Sequence, residues 1–151
     1  MPGDNNNEYA LLYDYLLRFS AISREDWLML LPHLSVRTLR KNKLFTREGS
    51  VGKEIGFVLE GMLRQYYRKD GEDKTTYFFF ETHFISAYIS CITQQPSLIS
   101  IEALSDTRYI SFPYPVMASL FSRSMGWQQF GRRIAGYLTI GLEERMVSLL
   151  L

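Results

Sequence analysis

Cysteine is almost missing from this sequence: Cys91 is the one thiol among 151 residues. An intramolecular disulfide and a cysteine-rich metal or iron–sulfur centre are therefore excluded, and the usage fits a reducing compartment. Histidine is nearly as scarce, with only His33 and His83. Charge of one sign is lacking too. The formal balance of +1 leaves no basic surplus of the sort a chain needs to hold DNA unaided. No apolar run approaches the roughly 20 residues of a membrane span. The opening residues Met1-Pro2-Gly3-Asp4-Asn5-Asn6-Asn7 are polar and lack the apolar core of a secretion signal, so a cytoplasmic protein is expected. No phosphate loop, nucleophile elbow or paired carboxylates stand out, so no enzyme is expected, and neither is a cofactor.

What is present is apolar and aromatic. Hydrophobic residues make up 46% of the chain and charged ones 22%, enough for one soluble globular domain with a core. Residues 1–8 read as a disordered leader. Tyr9, Leu11, Leu12, Tyr15, Leu16 and Phe19 then recur at helical spacing. Ser23 is placed to cap a second helix, with Glu25 and Asp26 in its first turn and a stop near Pro32. The basic stretch from Ser35 to Lys43 reads as a solvated loop and strand edge.

From Leu44 to Phe112 short β-rich runs alternate with turn signals about ten residues apart, the texture of an all-β sandwich or barrel. Asp70-Gly71 is the clearest turn and joins 62–68 to 74–80 as a hairpin, because glycine accepts the positive φ of a tight turn. Phe78-Phe79-Phe80 reads as part of a strand buried on both faces. Beyond Pro115 a short helix is expected at 116–121, then one long helix from Trp127 to Leu151, about 37 Å at 1.5 Å per residue. Its stripe holds Phe130, Ile134, Leu138, Leu142 and Met146. A second copy of the same helix is the simplest surface to cover that stripe, which makes a homodimer the expected assembly. The final residues offer no helix cap, and the native chain is expected to continue beyond Leu151.

Helices, then a stretch of about eight strands with glycine turns, then a long helix: this order resembles the cyclic-nucleotide-binding domain of Crp/Fnr regulators over residues 20–151. The resemblance is carried by Leu44-Phe45-Thr46-Arg47-Glu48-Gly49, by Phe57-Val58-Leu59-Glu60-Gly61 and by the turn at Gly71. It implies a mainly β fold with flanking helices, a double-stranded β-helix or jelly-roll over 9–125, and a C-terminal dimerisation helix over 126–151. It also implies a missing helix-turn-helix domain through which DNA would be read.

The resemblance further places a phosphate-binding cassette at Phe84–Ile99. The family pattern there is Phe-Gly-Glu and, about ten residues on, an arginine. The glycine gives close approach, the glutamate accepts the ribose hydroxyl and the arginine pairs with the cyclic phosphate. Here Ser86, Ala87 and Ser97 stand at those positions, and His83–Ile101 contains neither Arg nor Lys. Ser86, Ala87, Tyr88, Ser97 and Leu98 are thus the cassette-equivalent ligand residues, with Arg64 as a substitute cation should it point inward. An unpaired buried phosphate would cost several kcal/mol, so cAMP is not expected to bind in the family manner. Any small-molecule effector is of unidentified chemistry.

The alternatives are a stand-alone binding or interaction module and a cupin-like metalloenzyme suggested by Glu81-x-His83. A cupin site needs several converging ligands, and two histidines do not supply them, so no metal residue is assigned. Cys91 reads as a small core residue. Arg132, Arg133, Glu143, Glu144 and Arg145 read as the wet face of the long helix.

Overall fold

The computed structural model describes residues 5–136. Helix α1 (Asn6–Phe19) and helix α2 (Arg24–Leu30) precede a 3-10 turn at Leu31–His33. Eight strands follow: β1 (Ser35–Leu39), β2 (Leu44–Thr46), β3 (Glu54–Glu60), β4 (Leu63–Lys69), β5 (Glu72–Phe79), β6 (Phe84–Ile85), β7 (Ser100–Ala103) and β8 (Thr107–Pro113). A short helix α3 (Tyr88–Thr93) lies between β6 and β7, and α4 (Tyr114–Phe121) follows β8. A further helix, α5, runs over 125–136. The strands make two antiparallel four-stranded sheets, ordered β1-β8-β3-β6 and β2-β7-β4-β5, the jelly-roll arrangement with flanking helices that the resemblance implied.

Local chemistry sets the element ends. Ser23 closes a capping box with Asp26: its Oγ accepts the Asp26 amide at 3.0 Å, and the Asp26 carboxylate accepts the Ser23 amide at 3.0 Å. Two orphan donors at the start of α2 are satisfied together. The β4–β5 turn is Asp70-Gly71, with φ of 54° and 77°. Positive φ at both positions matches the right-handed twist of the flanking strands, and Lys69 pairs with Glu72 across it. Helix α1 begins at Asn6, earlier than the periodicity from Tyr9 suggested. Glu8 in its first turn forms an ion pair with Arg108 of β8, which ties this end of the helix to the roll and corrects the reading of residues 6–8 as part of a disordered leader. Residues 1–4 lie outside the described part.

Two cores share the strands β3 and β8. Their Ile55, Phe57, Ile110 and Phe112 face the helices and pack with Leu12, Leu16, Trp127 and Phe130. Their Val58 and Tyr109 face the other way, into the roll, with Ile85, Leu63, Phe79 and Ile101. Period-two alternation divides each strand between the cores.

Two expectations are corrected here. Phe79 is buried, but Phe78 and Phe80 are 47% and 48% exposed. Phe79 lies opposite Leu63 on the inner face of its sheet, whereas Phe78 lies opposite Arg64 on the outer face, which meets solvent, so the triple-phenylalanine run is not buried on both sides. Phe130 and Ile134 are buried in the subunit's own helical core, not available to a partner. The first turns of the long helix therefore belong to the body of the roll and its helices, and the boundary expected at residue 126 does not separate two packing units. Leu138, Leu142 and Met146 lie outside the described residues.

Trp127 illustrates how α5 is held. It is fully buried, meets Phe130 edge-on at 5.8 Å, and its indole N–H donates to the Asp26 carbonyl at 3.1 Å. Trp127→Ala should lower the unfolding free energy by about 3–5 kcal/mol, the usual cost of emptying such a site. Urea denaturation followed by circular dichroism measures this.

Candidate functional site

The cassette-equivalent segment is β6, α3 and the loop running into β7. Its residues divide between the two cores. Ala87 packs inside the roll, whereas Tyr88 packs toward the helices, where it meets Tyr114 edge-on at 6.1 Å. Burial pushes the Tyr88 phenol up from its ordinary range. Leu98 is 71% exposed and lies on the outer surface of the segment.

Each buried hydroxyl of the segment is spent on nearby backbone. Ser86 Oγ donates to the Glu54 carbonyl at 3.2 Å. Ser90 Oγ donates to the Gln95 carbonyl and accepts the Gly52 amide at 2.8 Å. Ser97 Oγ donates to the Ile99 carbonyl at 2.7 Å and accepts the Ile99 amide at 3.2 Å. Where the family pattern has an arginine for phosphate, this chain has a serine that closes its own loop. Ser97 also bonds through its backbone to Gly49 and Ser50, at 2.8 and 2.7 Å. Both ends of the cassette are thereby stitched to the chain between β2 and β3. Gly52 sits in that seam: a Cβ there would lie 2.9 Å from both the Ala87 carbonyl and Cys91 Sγ, so only glycine fits.

Arg64 does not reach the cassette. It stands opposite Glu102 and Phe78 in the β7-β4-β5 ladder, on the face of β4 away from Leu63 and the roll interior. Its Nε donates to Glu102 at 2.9 Å, Nη1 to Thr75 at 2.9 Å and Nη2 to Asp73 at 3.3 Å, and the guanidinium lies 4.2 Å from the Tyr66 ring centre. A cation with two carboxylates and a ring is committed. The sequence could not settle which face Arg64 takes; the pairing register does, and the substitute-cation reading is corrected.

Cys91 is 1% exposed and its Sγ approaches Ser86 Oγ at 3.6 Å. Burial pushes the thiol up, which disfavours the reactive thiolate and agrees with the core reading. Among the described residues no three His, Cys, Asp or Glu side chains converge as a metal site.

One feature of the structure carries no sequence motif. A cavity of about 730 Å³ opens between β1, β2 and the start of β3, and its lining includes Arg37, Phe45, Lys53, Glu54 and Ser111. None of the cassette-equivalent residues lines it. Ser111 Oγ donates to Glu54 Oε2 at its floor. Tyr109 lies beneath, edge-on to Phe45 at 5.4 Å. Burial, reinforced by the Glu54 charge, pushes its phenol up to about 12. The only sequence signal for this site was the basic character of 35–43.

Comparison with known proteins finds the same fold in several solved structures. The catabolite activator protein of Thermus thermophilus superposes with a TM-score of 0.70 at 18% identity, covering 89% of this chain and 61% of that one. The sensor domain of the transcriptional regulator DNR from Pseudomonas aeruginosa gives 0.71 at 14%, covering 97% and 95%. A CooA variant from Carboxydothermus hydrogenoformans gives 0.67 at 13%, covering 90% and 85%. These neighbours are Crp/Fnr regulators. The chain thus spans about three fifths of the full Thermus regulator's length. No curated protein matches by sequence. The family model for the cyclic nucleotide-binding domain matches residues 36–124, and the chain belongs to that family. Among the described residues no helix is long and apolar enough to cross a membrane.

His83 supplies a pH-dependent element beside the cassette. Its Nδ1 accepts the Phe80 amide at 3.1 Å, and burial holds its pKa below the ordinary 6.5. The unfolded chain then binds a proton more readily than the native one, so stability is full above the unfolded pKa and falls on acidification below about 6.5. Urea midpoints at pH 7.5 and 5.5 should differ by more in the parent than in His83→Gln. Equal differences would show that another group carries the effect.

Proposed function

We propose that this chain is the effector-sensing and dimerisation domain of a Crp/Fnr-type bacterial transcription regulator, and that its cassette does not bind cAMP or cGMP in the family manner. The observation that carries the second half is the closed hydrogen bonding of Ser86, Ser90 and Ser97. A cyclic phosphate entering here would find no cation from His83 to Ile101, and it would have to break these bonds to be held at all. A charge-assisted hydrogen bond contributes about 1.5–3 kcal/mol. Loss of the charge partner together with the ribose acceptor therefore removes several decades of affinity.

In this reading the domain acts by binding rather than by catalysis, in the cytoplasm. The apolar residues Leu138, Leu142 and Met146, read from the sequence alone, join two copies in this reading. A DNA-reading domain follows in the native chain, and effector binding shifts the helix pair between two arrangements.

Two measurements test this. Titration of a fluorescent cAMP analogue should show no saturable complex tighter than about 1 mM; a stoichiometric micromolar complex would overturn the cassette reading. Sedimentation equilibrium of the 151-residue chain should show a dimer at micromolar concentration, and the double variant Leu138→Glu, Leu142→Glu should be monomeric. A parent chain that is itself monomeric there would sink the dimer assignment.

A further inference from the structure

The cavity between β1, β2 and the start of β3 lies where the two sheets part. Among the described residues β1 pairs only with β8 and β2 only with β7, so each is a sheet edge, and both edges line one cavity. The volume of about 730 Å³ falls in the range of small-molecule sites.

Its chemistry is two-signed. Arg37 and Lys53 are exposed at the opening. Among the described residues neither has a carboxylate within ion-pair distance. Glu54 is half-buried at the floor. One of its oxygens accepts the Ser111 hydroxyl, which leaves Oε1 with no hydrogen-bond donor among the described residues. Phe45 forms an apolar wall, fixed edge-on by the Tyr109 ring behind it. A simple anion would meet the Glu54 charge, and a simple cation would meet Arg37 and Lys53. A molecule bearing both charges satisfies all three groups. Arginine suits a carboxylate because its planar donors match the two oxygens, and a free carboxylate oxygen suits an ammonium.

We propose that this groove is a ligand site separate from the cassette, and that it takes a small zwitterion: an α-amino acid with a large apolar or aromatic side chain. The carboxylate sits against Arg37 and Lys53, the ammonium against Glu54, and the side chain along Phe45 and Val51. The floor is wired to the cassette. Glu54 receives the Ser86 hydroxyl through its carbonyl, and Gly52 donates to Ser90. Ordering of 52–54 by a ligand is therefore felt by Ser86 and Ser90, with no ligand entering the cassette. The proposal does not depend on whether the cassette binds nucleotides.

The test is amide NMR of the whole chain, titrated with single L-amino acids to millimolar concentration. Large apolar members should give saturable shifts at Gly52, Lys53 and Glu54. The matching amine without a carboxylate and the matching acid without an amine should bind about tenfold more weakly or worse, the loss of one charged contact. Arg37→Gln, a change at an exposed side chain, should weaken the amino acid about tenfold. Glu54→Gln, whose amide oxygen still accepts from Ser111, should abolish the preference over the amine-free acid. Unchanged affinity in Arg37→Gln, or no saturable shift with any amino acid, would overturn the site. Tight cyclic nucleotide binding at Ser86 and Ser97 would overturn the preceding reading and leave this one standing.

Discussion

Strands β3 and β8 are buried on both faces, and the register between them organises the domain. Ile55 lies opposite Phe112, and Phe57 opposite Ile110, on the helical side. Gly56 lies opposite Ser111, and Val58 opposite Tyr109, on the roll side. A slip of one residue would exchange these sets. Were β3 to slip, Ile55 and Phe57 would enter the roll, and Gly56 and Val58 would be left to hold the helices. Gly56 shows how little room the register leaves, since a Cβ there would stand 2.8 Å from Ile85 Cγ1. The same alternation places Glu54 and Ser111 together at the floor of the groove. The packing of the cores and the position of the charged floor are thus one constraint seen at two points.

The segment at the cassette position is held in shape by contacts within the protein. A phosphate loop held by an anion needs that anion for part of its stability. Here the loop is held by hydroxyls bonded to backbone, each worth about 1 kcal/mol net, and by apolar contacts that send Ala87 to one core and Tyr88 to the other. Such a segment needs nothing bound to stay folded. It can then serve as a mechanical link, because Gly49, Ser50, Gly52 and Glu54 all bond to it.

Features fixed by local chemistry were legible in the sequence. The Ser23 cap, the Asp70-Gly71 turn and the stop at Pro32 each rest on one or two residues whose preferences do not depend on distant contacts. The family cassette was legible because its missing charges are visible as Ser86, Ala87 and Ser97. Features that depend on which surface a neighbour covers were not. Phe78 and Phe80 carry the same apolar signal as Phe79, and only the uncovered outer face of the β5 sheet decides that they face water. Phe130 and Ile134 fit a dimer stripe and a subunit core equally well, and the choice depends on where α1 and β6 lie. Arg64 needed the ladder register. Glu54 gave no signal at all: a lone carboxylate at a strand start looks like any surface residue until Ser111, Phe45 and Arg37 arrive from three other strands.

The buried start of α5 limits how this helix can move against the roll. If Phe130 and Ile134 faced only a partner, the helix could swing freely against the roll. Instead Phe130 meets Phe84, the first residue of β6, edge-on at 5.5 Å, and Phe84 in turn meets Phe57 of β3 at 5.2 Å. The helix cannot shift without repacking the strand that opens the cassette. Spatial contact alone does not make a pathway; a switch needs an element with two arrangements that both ends bias. The aromatic cluster of Phe57, Phe84 and Phe130 is suited to be that element, because close-packed rings move by discrete repacking rather than by gradual deformation. Anything that pulls on the β6–α3 corner, whether through the cassette or through the 49–54 segment bonded to it, acts on the root of α5 and not on its tip.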